Sequence, residues 1–259
     1  MANFALVLTE NVLHKNSFVG ELTRRYKPNI KLIIQLDFKH HKSGFINHYR
    51  RYIQLLGLKG LVYTFFLIVN NKIKYLWAQI TNTPNSYSLK QLSIRKNIHY
   101  AKINNVNSDE FLQLLEKHDI DYVINSANQI YKKKVLDKWS EKILNRHSSI
   151  VPSYGGIYPI FWQMLNGDKK GGVTLHWIDS KIDEGLLAYY KEFDINLKKS
   201  LFWHYKIAFD ISLELCSKAI EDLSEGKVSK QKLFLEKSYY TWPEVSDIKR
   251  FKKKGLKIV

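Results

Sequence analysis

A chain of 259 residues, 45% hydrophobic and 14% aromatic, holds enough apolar side chain for a full α/β core plus a small appendage, which excludes an intrinsically disordered polypeptide. Its single cysteine, Cys216, excludes an internal disulfide framework; within the apolar run KIAFDISLELCSKAI it reads as a buried thiol in a reducing compartment. The net charge of +17 suits a nucleic acid, an anionic membrane or a phosphate-bearing small molecule, and the scattered lysines select none of them.

Short apolar strands alternate with amphipathic stretches, the pattern of an α/β fold: a Rossmann-like open, twisted, mostly parallel sheet with helices on both faces. Phe4 to Thr9 is the first strand. Its apolar piece is too short for a signal peptide, so a cytoplasmic location is expected. A helix through Phe18, Leu22 and Tyr26 follows, Pro28-Asn29 breaks it, and Ile30 to Leu36 is the second strand. From Gly44 to about Asn97 lies a helix-rich, aromatic insert with a breaker at Asn82-Thr83-Pro84-Asn85. Its run GLVYTFFLIV, residues 60–69, is half of the ~20 residues that a bilayer span needs. We read it as a core helix under a solvated basic face. A helix on a membrane surface is the alternative, because Arg50, Arg51, Lys59 and Lys72 flank the run.

Asp109 to Lys117 is a helix with Ser108 as N-cap and Phe111, Leu112, Leu114 and Leu115 as apolar positions. Asp121-Tyr122-Val123-Ile124 and Lys142 to Leu144 are buried strands. After Pro152 the texture becomes Gly- and aromatic-rich, and strands follow from Val173 to Ile178 and from Leu186 to Phe193. A helix from Leu201 to about Leu223 closes the globular part. One domain over 1–223 is therefore expected, with a C-terminal extension over 224–259 that carries the densest basic cluster, Lys249 to Lys254.

No GxGxxG follows the first strand, where the turn reads TENVLHKNSF, and there is no Walker loop, HExxH or cysteine pair. His14 and the adjacent His40-His41 lack ligand spacing and read as surface residues, so no metal is expected. What remains is Asn145-Arg146-His147-Ser148-Ser149 at a strand end, followed by Pro152-Ser153-Tyr154-Gly155-Gly156 and Pro159-Ile160-Phe161-Trp162. Asn166-Gly167-Asp168, Gly172-Val173-Thr174-Leu175-His176 and Asp179-Ser180-Lys181-Ile182-Asp183-Glu184-Gly185 complete the series. An N-x-H pair on a strand sends Asn and His to one face.

This ordered series resembles the folate-dependent formyltransferase family. That pattern runs N-x-H-x-S, two aliphatics and Pro, an aromatic and Gly stretch, N-G-D or N-G-E, G-V-T-x-H, and D-x-x-x-D-x-G. Asn145, His147, Pro152, Asn166, Gly167, Gly172, Val173, Thr174, His176, Asp179, Asp183 and Gly185 stand in the same order, over roughly residues 98 to 194. The resemblance implies an enzyme that uses 10-formyltetrahydrofolate as co-substrate, with Asn145, His147 and Asp183 catalytic. Attack of an amine on a formyl carbon creates an oxyanion, which the Asn145 amide and a His147 imidazolium would stabilise. Asp183 would set the protonation of His147 and assist removal of the amine proton. Ser148 and Ser149 lack a nucleophile elbow and read as positioning or capping residues. His176 reads as structural or as a wall of the folate site.

By the same resemblance the pterin lies between Ser126-Ala127-Asn128-Gln129-Ile130-Tyr131 and the segment Ile178 to Asp183, which makes Ser126, Asn128, Gln129, Ile130, Tyr131, Ile178, Asp179 and Ile182 cofactor-binding candidates. The acceptor is narrowed by features outside the shared core. Glycinamide ribonucleotide would need a Gly-rich phosphate loop after the first strand. Methionyl-tRNA formyltransferases carry a large C-terminal domain where about 35 residues stand here. The tail, Ser238-Tyr239-Tyr240-Thr241-Trp242-Pro243 onward to Asp247-Ile248, Phe251 and Gly255, is similar to the ending of formyltransferases of bacterial surface-sugar pathways. The expected acceptor is thus an amino sugar, nucleotide-linked, contacting Ser149, Tyr154, Tyr158 and Trp162. A methionyl-tRNA-type acceptor and a lipid-linked sugar are alternatives. The aromatic tail and the insert are candidate surfaces for a homodimer. Two non-enzymatic readings, a basic nucleic-acid-binding module and a membrane-surface scaffold, leave the spacing of Asn145, His147 and Asp183 without a purpose.

Overall fold

The structure is a computed structural model, described for residues 1–9, 15–36, 44–81 and 88–259. His14, His40, His41, the turn after the first strand and the Asn82 to Asn85 breaker lie outside the described residues. In chain order the elements are β1 (Phe4–Thr9), α1 (Lys15–Arg25), β2 (Ile30–Leu36), α2 (Gly44–Ile80), α3 (Leu89–Lys96), β3 (His99–Ile103), α4 (Asp109–Lys117) and β4 (Tyr122–Ser126). There follow α5 (Lys133–Trp139), β5 (Ile143–His147), β6 (Gly155–Gly156), α6 (Pro159–Asn166), β7 (Lys170–Trp177), β8 (Leu187–Asp194), α7 (Leu201–Ser224), β9 (Tyr239–Tyr240) and α8 (Val245–Lys253).

Seven strands form one sheet in the order β3-β2-β1-β4-β5-β7-β8. The pairs from β3 to β5 are parallel, while β7 is antiparallel to both β5 and β8. The chain winds from β1 outward through β2 to β3, then returns to place β4 on the other side of β1. That reversal opens a crevice at the C-terminal strand ends, where open α/β sheets place ligands. Alternation along β1 divides the core. Phe4, Leu6 and Leu8 pack with Leu22 of α1, Phe161 of α6 and Ala219 of α7. Ala5 and Val7 pack on the other face with Phe111 and Leu115 of α4 and Trp139 of α5. The α/β class, the mostly parallel sheet and the helices on both faces are as expected. Cys216 is buried, and burial pushes its thiol pKa up to about 12.

Among the elements that escaped the sequence reading, β3, α5 and α6 did so for plain physical reasons. Edge strand β3 buries only Ile103 and carries no apolar alternation. Helix α5 is seven residues long with two buried side chains, too few to show a period. Helix α6 is buried on every side, so it has no polar face; Pro159 opens it, and Gly167 at φ 84° closes it.

Residues 224–259 belong to the same core. Helix α8 starts on a reciprocal capping box between Glu244 and Asp247 and buries Ile248 and Phe251, with Phe251 stacked 4.5 Å from Phe161. The Leu201 and Phe202 amides donate to the carbonyls of Lys257 and Ile258. The basic cluster Lys249, Arg250, Lys252 and Lys253 is the solvent face of α8.

The apolar run 60–69 corrects our expectation, because it is not a core helix. It is the middle of α2, which continues to Ile80, and from Leu61 onward none of the described α2 residues is buried. Leu55 and Leu56 enter the core on the sheet face shared with α1, α6 and α7, and the part of α2 beyond them has no core left to enter. The segment Arg50–Lys74 is long and apolar enough to cross a membrane by length and composition. The ten-residue run underestimated it by stopping at Val69.

Candidate active site

The end of β5 sits between two neighbours that aim polar side chains at it. Parallel pairing sets Asn125 of β4 opposite Asn145, and antiparallel pairing sets His176 of β7 opposite Asn145. Arg146 turns the other way: its guanidinium lies 4.1 Å over Phe209 and donates to Ser212 Oγ at 2.7 Å. Strand alternation therefore leaves Asn145 and His147 on one side, as the N-x-H spacing predicts.

Asp183 arrives from the β7–β8 loop at φ 54°. That loop folds tightly back on β7 at Gly185, where a Cβ would lie 1.7 Å from the Trp177 carbonyl oxygen, so only glycine fits. The Gly156 amide donates to Asp183 Oδ2 at 2.8 Å. Asp183 Oδ1 lies 3.8 Å from His147 Nδ1, 3.6 Å from His176 Nε2 and 3.5 Å from Asn145 Nδ2. Asn145 and His147 of β5 thus meet Asp183, 36 residues beyond His147 along the chain, at one carboxylate oxygen.

Protonation states follow from the partners. His147 Nε2 lies 2.9 Å from the Tyr154 carbonyl, which only accepts, so Nε2 carries the proton and Nδ1 faces Asp183 with its lone pair. Burial depresses the His147 pKa, against the pull of the Asp183 charge. That direction favours a neutral imidazole at rest, so the imidazolium expected from the sequence would form there on taking up a proton. For Asp183, burial alone would raise the pKa, but His147, His176 and the Gly156 amide outweigh it and hold the group well below the carboxylate range. Both shifts mean that the unfolded chain binds more protons than the folded one. Stability should therefore fall as pH drops below about 6.5 through His147, and again below about 3.9 through Asp183. In urea titrations from pH 7 to pH 3, Asp183→Asn should, relative to wild type, remove the lower part of that decline and, with the pull of the Asp183 charge on His147 gone, deepen the upper part. Identical slopes in the two proteins at every pH would contradict the linkage.

A second row of side chains orients the first. Asn125 Nδ2 donates to Asn145 Oδ1 at 2.7 Å, and Tyr131 Oη donates to Asn125 Oδ1 at 3.0 Å. With its oxygen engaged, Asn145 must present its NH2 to His176 Nε2 at 3.1 Å and to Asp183.

The formyl transferase sequence profile matches residues 66–202, half of the chain. This chain belongs to the formyl transferase family. It is 34% identical over 122 residues to the methionyl-tRNA formyltransferase of Finegoldia magna, an alignment covering 45% of this chain and 39% of that protein. It thus spans less than half the length of that relative. The N-formyltransferase from Helicobacter canadensis, solved with folinic acid and dTDP-3-aminofucose, superposes with a TM-score of 0.58 at 18% identity, over 93% of this chain and 71% of that one. Phosphoribosylglycinamide formyltransferase from Anaplasma phagocytophilum gives 0.60 at 14% identity, over 93% and 99%. At such identities the two structures share the fold.

In this member of the family, the loop after β4 is held from below. Gln129 accepts from the Val106 amide and donates to the Asn104 carbonyl, and Tyr131 is buried on Asn125. Ser126 is buried, whereas Asn128 and Ile130 are exposed. Ile178 and Tyr131 belong to the same buried cluster; Asp179 and Ile182 are exposed. On the other flank Ser149 Oγ donates to the Ser153 carbonyl at 2.8 Å. Tyr154 stacks on Tyr240 at 5.3 Å, Trp162 stacks on Tyr240 at 4.8 Å, and Tyr158 meets Trp242 edge-on at 4.9 Å. The tail strand β9 lies along β6, and this seats Tyr239 beside Gly156, with its phenol pKa raised by burial and by the Asp183 charge. Asn125 and Tyr239 were missed as site residues, and His176, read as structural or as a wall of the folate site, lies against Asn145 and Asp183. The polar Asn125-Ser126 pair ending an apolar strand was the available signal for the first.

Proposed function

We propose that this protein transfers the formyl group of 10-formyltetrahydrofolate to the amine of an amino sugar, nucleotide-linked, in the cytoplasm, for a bacterial surface polysaccharide such as a lipopolysaccharide O-antigen. The observation that carries formyl transfer is the convergence of Asn145, His147 and Asp183 on one carboxylate oxygen. As the amine attacks, a C–N bond forms and the formyl oxygen gains negative charge. The 3.5 Å contact from Asn145 Nδ2 to Asp183 is the weak one, so that N–H is free to turn to the oxyanion. The amine proton moves to His147 Nδ1, and the imidazolium so formed faces the Asp183 carboxylate. The bond to the folate N10 then breaks, and the proton passes on to that nitrogen.

Support for a sugar acceptor comes from the aromatic wall beside Gly156. Tyr239 is 51% exposed there, an aromatic face on which a pyranose ring or a base can lie, while the next residue of β9, Tyr240, stacks with Tyr154 and Trp162. The Helicobacter canadensis neighbour, which holds a dTDP-amino sugar, is consistent with this reading. A second reading, formylation of an aminoacyl-tRNA, is favoured by the Finegoldia relative and the net charge of +17. Product mass spectrometry separates them. Nucleotide-linked amino sugars incubated with the enzyme and 10-formyltetrahydrofolate should gain a formyl group, and Tyr239→Ala should raise the sugar KM roughly tenfold with kcat little changed. Formylation of methionyl-tRNA alone would sink the sugar reading.

A further inference from the structure

The most extended exposed apolar feature among the described residues is the outer face of the distal half of α2. Gly57 interrupts the helix at φ 61° and ψ −178°, backbone that only glycine adopts without strain. Before it, Leu55 and Leu56 are buried in the core; after it, the helix is redirected along the outside of the domain. The segment beyond Gly57 has two faces. Gly60 is buried and Leu61, Thr64 and Asn71 are half-buried, at spacings of one, three and seven, on the side that rests on the protein. The opposite side carries Leu58, Val62, Phe65, Ile73, Trp77 and Ile80 at spacings of three, four and eight, with exposures of 79%, 47%, 63%, 59%, 64% and 81%. This is a continuous apolar stripe facing outward. Patches of that extent on a soluble surface mark interaction sites.

Charge decides what covers it. Helix α2 contains no Asp or Glu, while Arg50, Arg51, Lys59, Lys72 and Lys74 lie along it. The basic face of α8 continues this positive surface, for α8 packs on α2 and Lys252 Nζ approaches Gly57. A second copy of a chain with net charge +17 would meet this surface with repulsion, whereas an anionic lipid surface complements both the stripe and its lysines. Topology then fixes the mode. From Leu58 to Ile80 the helix is about 34 Å long at ~1.5 Å per residue, enough to span a bilayer. Yet α2 joins β2 to β3, and these strands pair directly, with Leu32 opposite His99. A single crossing would put two neighbouring strands of one sheet on opposite sides of the membrane.

We propose that α2 docks the protein onto an anionic membrane surface, lying in the interface with its apolar stripe in the acyl boundary and its lysines among the headgroups. This does not rest on the proposed reaction. The full-length protein should float with vesicles of phosphatidylglycerol and phosphatidylcholine. It should bind pure phosphatidylcholine at least about tenfold less, and salt should release it. Phe65→Ser with Trp77→Ser should abolish flotation, and Lys59, Lys72 and Lys74 changed together to Gln should weaken it, with far-UV circular dichroism and formyl transfer unchanged in both. Wild type that stays below the anionic vesicles would overturn the proposal. So would a concentration-dependent dimer that Phe65→Ser with Trp77→Ser dissociates while vesicle binding remains, since the stripe would then belong to a second copy of the chain.

Discussion

Asp183→Asn should lower kcat for formyl transfer roughly 100- to 10,000-fold while leaving the fold intact. The substitution keeps the shape and an oxygen for the Gly156 amide, so the β7–β8 loop has no reason to move. It removes the negative charge that faces His147 Nδ1, and with it the stabilisation of an imidazolium at that position. His147→Ala removes the proton acceptor itself and should cost a similar factor. Because the two act as one unit, the double variant should be little worse than either single one. Steady-state kcat and KM, with a melting temperature for each variant, check this. More than half of wild-type kcat in Asp183→Asn would show that the carboxylate has no part in the reaction.

Gly156→Ala should damage stability and catalysis together. A Cβ at this position would lie 2.0 Å from the Tyr240 carbonyl oxygen and 3.1 Å from the Tyr239 ring, at a φ of 94°. The obstructing atom is backbone, so it cannot rotate away; β9 must leave β6. The conformational strain alone is about 1–2 kcal/mol, and displacement of the tail adds to it. The same residue donates its amide to Asp183, so its movement also withdraws a support of the carboxylate. A melting temperature lowered by several degrees and at least about a tenfold loss of kcat/KM are expected. Gly20→Ala in α1 is the matched control. Nothing lies within 4 Å of its added Cβ, and the change should leave activity unaltered and stabilise the helix by up to about 1 kcal/mol. Equal melting temperatures for the Gly156→Ala and Gly20→Ala proteins would refute the packing argument.

The sheet was legible because its central strands are mostly apolar. Phe4–Thr9 is buried along its length and Ile30–Leu36 at every position but Lys31, and such runs identify themselves without periodicity. Asn145 and His147 were legible from spacing, because strand alternation is local. His176 was not, because its approach to Asn145 depends on β7 running antiparallel to β5, a long-range fact that no local pattern encodes. The tail was legible as a motif but not as a wall: seating Tyr240 against Tyr154 and Trp162 requires β9 to find the two-residue strand β6. Helix α2 misled for the opposite reason. Its apolar composition implied burial, yet composition does not say whether any core remains to receive a helix.

The most direct test of formyl transfer at this site is the release of tetrahydrofolate from 10-formyltetrahydrofolate with and without a nucleotide-linked amino sugar. Wild type should release it only when the amine is present, with one formylated product per tetrahydrofolate, and Asp183→Asn and His147→Ala should release almost none. Release at equal rates with and without every amine offered, or full activity in both variants, would contradict transfer by Asn145, His147 and Asp183.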